Sequence, residues 1–137
     1  MPALDTNVLV RYLVRDDDRQ LAAARRLIRN CVDKGETLFV PVTVALELEW
    51  VLRSTFELPK SDVVHLLSDL LSATELAFES EGALEFALRL YADGRADYSD
   101  CVHVALALRA GHAPLWTFDK AAAQLDGAML LTASGST

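Results

Sequence analysis

Cysteine is scarce in this sequence: Cys31 and Cys101 stand alone and far apart. Two isolated thiols build neither a disulfide framework nor a zinc motif. No apolar run approaches the length of a membrane span. The opening residues, Met1-Pro2-Ala3-Leu4-Asp5, lack a basic region followed by a long apolar stretch, so no secretory signal is read there. These absences predict a cytoplasmic protein. Glycine-rich phosphate loops, GxSxG elbows and HExxH helices are missing too, which leaves nucleotide-cofactor chemistry and triad hydrolysis without visible parts. The three histidines, His65, His103 and His112, have no metal-ligand spacing, and His103, inside an apolar helix, reads as a core residue. Trp50 and Trp116 read as core or rim packing.

What is present is a folded chain. Apolar residues make up 52% of 137 positions, enough for one domain with a real core. A single domain is expected over 1–132, with a small, polar, frayed tail at 133–137. The net charge of −7 argues against coating nucleic acid through a general basic field. Six arginines nevertheless fall in the first thirty residues: Arg11, Arg15, Arg19, Arg25, Arg26 and Arg29. Guanidinium suits bidentate phosphate contacts, which makes Arg11, Arg15 and the loop residue Arg95 candidates for RNA binding. The alternative is that the early arginines are the solvated faces of two helices.

Short apolar strands alternate with helices along the chain. Residues 2–5 read as a strand ending at Asp5, and Thr6-Asn7 open a helix. Asp16-Asp17-Asp18 cap a second helix over about 18–33. A strand at 38–40 closes at Pro41, and Thr43 caps a helix to about Ser54. A helix from 59–61 to about 72, a strand at 76–78 and a helix from Ser80 to about 91 follow. A helix over about 98–110, a strand at 115–118, a short alanine-rich helix and a strand near 129–131 complete the pattern. This order predicts a three-layer α/β/α sandwich with a short, mainly parallel central sheet. Such folds bind ligands at the carboxyl ends of their strands.

Four acids then stand out: Asp5, Glu47, Asp100 and Asp119. Asp5 and Asp119 lie just past strand ends, though each is also a plausible helix cap. Glu47 falls on the stripe Val44, Leu48 and Val51, so it is expected to project along a core-facing surface, whereas Glu49 reads as a surface ion pair with Arg53. Asp97 and Asp100 are three apart at a helix start, so both can point the same way, while an acid there also complements the helix dipole. Carboxylates gathered in a partly dry place need neutralising, and a divalent metal such as Mg²⁺ or Mn²⁺ does this with oxygen ligands. Converging carboxylates with a hard metal are machinery for phosphodiester hydrolysis.

These residues resemble the PIN-domain family. Leu4-Asp5-Thr6-Asn7-Val8-Leu9 is similar to its opening motif. Ala45-Leu46-Glu47-Leu48-Glu49-Trp50-Val51-Leu52 resembles the second acidic motif, Ala96-Asp97-Tyr98-Ser99-Asp100 the third, and Thr117-Phe118-Asp119-Lys120 the fourth. Among compact members the pattern is most similar to VapC-like toxins of type II toxin–antitoxin pairs. The resemblance implies a Mg²⁺- or Mn²⁺-dependent endoribonuclease, usually a homodimer, held inactive by a small antitoxin. Asp5, Asp100 and Asp119 would hold metal, Glu47 and Asp97 would act through water, and Asn7, Thr6 and Thr117 would support them. Two other readings compete. In the first, the acids only cap helices in a non-enzymatic PIN-like binding module. A strand-end Asp also opens haloacid-dehalogenase phosphatases, but those need a second Asp where this chain has Asn7.

Overall fold

The computed structural model describes residues 1–133 and 135–136. Packing divides the chain into two compact units, Met1–Glu81 and Gly82–Thr137. The first unit begins with α1 (Thr6–Val14), which starts where the sequence places it because the Asp5 carboxylate accepts the Thr6 backbone N–H at 2.7 Å. The strand expected at 2–5 shrinks to one parallel bridge, Ala3 to Phe39. Pro2 has no N–H to give and Asp5 already serves the helix, so little backbone remains for pairing.

The second helix, α2 (Asp18–Asp33), is capped by Asp17, whose carboxylate accepts the Gln20 N–H at 3.0 Å. It buries Leu21, Ala24, Ile28 and Cys31, while Arg19, Arg25, Arg26 and Arg29 are exposed. For these four arginines the solvated-face alternative therefore holds. Strand β1 (Leu38–Val40) pairs in parallel with β2 (Leu76–Phe78), Leu38 opposite Leu76. Between them lie α3 (Val42–Ser54) and α4 (Lys60–Leu71). Leu9, Leu38, Leu48 and Leu52 are fully inaccessible. Each stabilises the fold by about 2 kcal/mol.

Helix α3 departs from expectation twice. Thr43 does not cap it. Pro41 stands at the N-cap with no side-chain bond, and the Glu79 carboxylate, just past β2, accepts the Val42 N–H at 2.8 Å instead. The buried stripe is Ala45, Leu48, Glu49 and Leu52, one residue round from the expected one. Glu47 is exposed and Glu49 is only 3% exposed, the reverse of the sequence reading. Both stripes contain Leu48, two other apolar residues and one glutamate, so apolar spacing alone did not separate them. Glu49 tolerates burial because Arg53 Nε donates to its Oε2 at 2.8 Å.

The second unit holds α5 (Glu81–Asp93), α6 (Tyr98–Arg109), β3 (Leu115–Thr117), a 3₁₀ turn at Ala122–Gln124 and β4 (Ala128–Thr132). Strands β3 and β4 are parallel, Trp116 opposite Met129. The tail expected to fray contains β5 (Gly135–Ser136), antiparallel to β4; Ser134 and Thr137 lie outside the described residues. The core of this unit includes Leu84, Ala87, Cys101, Val102 and Val104, and Tyr98 packs its ring on Tyr91, centroids 5.3 Å apart. Both cysteines are buried, and neither is in a disulfide. The fold class is thus α/β, with six α-helices among the described residues and short, mainly parallel strands. Among the described residues no helix is long and apolar enough to cross a membrane.

Candidate functional site

In the first unit the chemistry gathers where α1 begins. Asp5 is exposed, and one oxygen of its carboxylate is occupied by the Thr6 N–H. Thr6 is buried, and its hydroxyl donates a hydrogen bond to the Glu47 carboxylate. The residue after Asp5 therefore holds Glu47, which ties Glu47 to the start of α1 on grounds quite different from the helical-face reading. Asn7 is exposed and lines an open pocket of about 300 Å³ with Val8, Arg11, Gln20 and Leu27. Arg11 is already engaged: its Nη1 meets both Asp16 oxygens, at 2.8 and 2.9 Å, and its Nε donates to Gln20. Arg15 is exposed and ends α1 in the left-handed region, φ 61°.

In the second unit the acids are electrostatically linked. Burial pushes the Asp100 carboxyl up from its ordinary value of 3.8. The negative charges of Asp119 and Asp97 push the same way, and His103 opposes them. Asp97 stands at the N-cap of α6, as its position predicts, but makes no side-chain cap bond. For Asp119 the capping alternative holds, since Asp119 Oδ1 accepts the Ala122 N–H at 2.9 Å. The Thr117 hydroxyl accepts the Asp119 N–H at 3.0 Å, fixing the backbone that presents this acid. Arg95 is exposed in the loop before Asp97.

Sequence reasoning missed His103, which is exposed and not a core residue. The available signal was its spacing, one helical turn from Asp100. Trp50 and Trp116 are also exposed, at 56% and 46%. The donor set is carboxylate, amide and hydroxyl oxygen, which suits Mg²⁺ or Mn²⁺ better than a softer metal. Among the described residues no three His, Cys, Asp or Glu side chains form a ready-made metal cluster. The fit to a hard cation thus rests on donor chemistry and on the repulsion around Asp100.

Short parallel strands alternating with helices are the layout of a PIN domain. Residues 3–128 match that family, and the chain belongs to it. It is 25% identical over 111 residues to the VapC ribonuclease of Aquifex aeolicus (strain VF5), an alignment covering 81% of this chain and 82% of that protein.

Proposed function

We propose that this chain is a metal-dependent endoribonuclease that hydrolyses RNA phosphodiester bonds, and that it is the toxin of a toxin–antitoxin pair. The observation that carries the reading is the part-buried Asp100, on whose carboxyl burial and the negative charges of Asp119 and Asp97 act in the same direction. Repelling carboxylates of this kind are best offset by a hard divalent cation. Family membership and the likeness to a VapC ribonuclease supply the direction towards RNA.

Asp5, Asp100 and Asp119 are the carboxylates assigned to Mg²⁺ or Mn²⁺, with Glu47 and Asp97 acting through water. When bound, such an ion acts as a Lewis acid towards phosphate and eases the deprotonation of water. Thr6 keeps the Glu47 carboxylate in one orientation, so it accepts or passes a proton from a fixed position. Asn7 and Thr117 orient phosphate oxygens or water. Arg15 and Arg95, both exposed, take backbone phosphates, whereas Arg11 does so only by giving up Asp16. The same reading assigns a cognate antitoxin protein as partner, a homodimer as the assembly and the cytoplasm as the location.

The test is incubation of purified protein with labelled structured RNA, in Mn²⁺ and in EDTA. Cutting in Mn²⁺ that stops in EDTA supports the reading. Cutting that persists in EDTA, or hydrolysis of a small aryl phosphate in place of RNA, rejects it.

A further inference from the structure

Three parallel segments of the first unit end level with one another. Ala3 bridges Phe39, and Phe39 is in register with Ala77. Two residues on, at the carboxyl ends, stand Asp5, Pro41 and Glu79. The Leu4 N–H donates to the Phe39 carbonyl and the Glu79 N–H to the Val40 carbonyl, both at 2.9 Å, so the backbone is tied on either side of Pro41. Asp5 and Glu79 therefore flank Pro41 at one edge.

Helices α1 and α3 follow the first two ends, and each needs acceptors for its first N–H groups. At α1 the Asp5 carboxylate accepts the Thr6 N–H. At α3 the equivalent residue is Pro41, whose ring carries no acceptor and whose carbonyl already takes the Val44 and Ala45 N–H groups. Glu79 supplies what Pro41 lacks. Its Oε1 accepts the Val42 N–H at 2.8 Å, and a carboxylate there also complements the positive end of the helix dipole. Val42 is the first residue of α3, and none of its residues before Ala45 is buried. Packing therefore fixes α3 from Ala45 onward, and Glu79 fixes the turn before it. Glu47 is exposed, so its place depends on this end of the helix and on the bond from Thr6.

We propose that Glu79 is a positioning residue for Glu47, anchoring the start of α3 so that this acid meets the Thr6 hydroxyl. The inference rests on the ribonuclease reading, in which Glu47 acts through water, and adds to it a residue outside the four acids. Thr6 orients the carboxylate, and Glu79 sets the helix that carries it. Glu79 needs no contact with RNA or metal to do this. Partners that orient a metal-site carboxylate from outside matter for metal affinity and for rate alike.

Two changes at Glu79 separate an anchor from mere bulk. Glu79→Gln keeps an oxygen for the Val42 N–H, and Glu79→Leu keeps similar volume without one. Two quantities are read per folded molecule: RNA cleavage as kcat and KM, and Mn²⁺ affinity from the paramagnetic resonance of free Mn²⁺. Glu79→Leu is expected to lower kcat about 10- to 100-fold with KM little changed, and to weaken Mn²⁺ binding in step. Glu79→Gln should restore both. In a Glu47→Gln background, Glu79→Leu should weaken Mn²⁺ binding no further. A cap with only a structural role lowers the melting temperature and leaves both readouts unchanged, which overturns the positioning role and leaves the nuclease reading intact. An equal loss of Mn²⁺ affinity with Glu47→Gln present, or no recovery with Glu79→Gln, overturns it too. Wild type that binds Mn²⁺ but cuts no RNA overturns the ribonuclease reading alone, and Glu79 then stands or falls on the Mn²⁺ comparison. Wild type that neither binds Mn²⁺ nor cuts RNA overturns both.

Discussion

The buried Thr6 hydroxyl donates a hydrogen bond to Glu47, tying the first residue of α1 to an exposed acid on α3. Thr6 also follows Asp5, whose carboxylate caps the same helix. One residue thus fixes the geometry of two acids. Thr6→Val keeps the shape and removes the donor. Cleavage is expected to drop about 10- to 100-fold, the usual cost of removing a group that orients a metal-site carboxylate. Thr6→Ser should retain most activity. Steady-state kinetics check this: the loss should fall on kcat with KM little changed.

Asp100 makes stability depend on pH in a definite direction. Burial, Asp119 and Asp97 raise its carboxyl in the folded protein, so the folded state holds that proton more tightly than the unfolded chain. Its contribution is fully favourable below the ordinary value of 3.8 and is lost as pH rises through the raised value. Asp100→Asn removes that loss. In EDTA at neutral pH the variant should melt above wild type, and the gap should close as pH falls below 3.8. Calorimetry across pH measures both.

Added Mn²⁺ should reverse that order. An ion that binds only the native state stabilises it, by about 2.7 kcal/mol at one hundred times its dissociation constant. Wild type should gain in thermal shift, and Asp100→Asn or Asp119→Asn should gain much less.

Glu49 offers a structural control. Its carboxylate is 3% exposed and meets Arg53 at 2.8 Å. Arg53→Ala removes that charge-assisted bond and should cost about 1–3 kcal/mol in urea unfolding. Specific RNA cleavage per folded molecule should be unchanged, because Glu49 faces the core and Glu47 does not.

Much of the fold was legible because it is written in local chemistry. Asp5 and Asp17 cap helices as their positions imply, and the Leu21, Ala24, Ile28 and Cys31 face of α2 is buried as its spacing predicts. The rotation of α3 was not legible, since two stripes of equal apolar content differ only in what they pack on. The α3 cap from Glu79, 37 residues away, left no trace in local sequence. His103 and Trp116 were misjudged for a related reason: composition says how apolar a residue is, and only packing says whether a neighbour covers it. Asp97 and Asp119 differ in their side-chain bonds, one making no cap bond and the other making one, although their sequence signals are alike.

The most direct test of the carboxylate–metal account is cleavage of one labelled structured RNA by wild type, Asp5→Asn and Asp100→Asn, in Mn²⁺ and in EDTA, with each variant's fold checked by circular dichroism. The account predicts cutting by wild type in Mn²⁺ only, with both folded variants slowed at least about 100-fold. Wild-type rates in either variant, or wild-type cutting that survives EDTA, would contradict it.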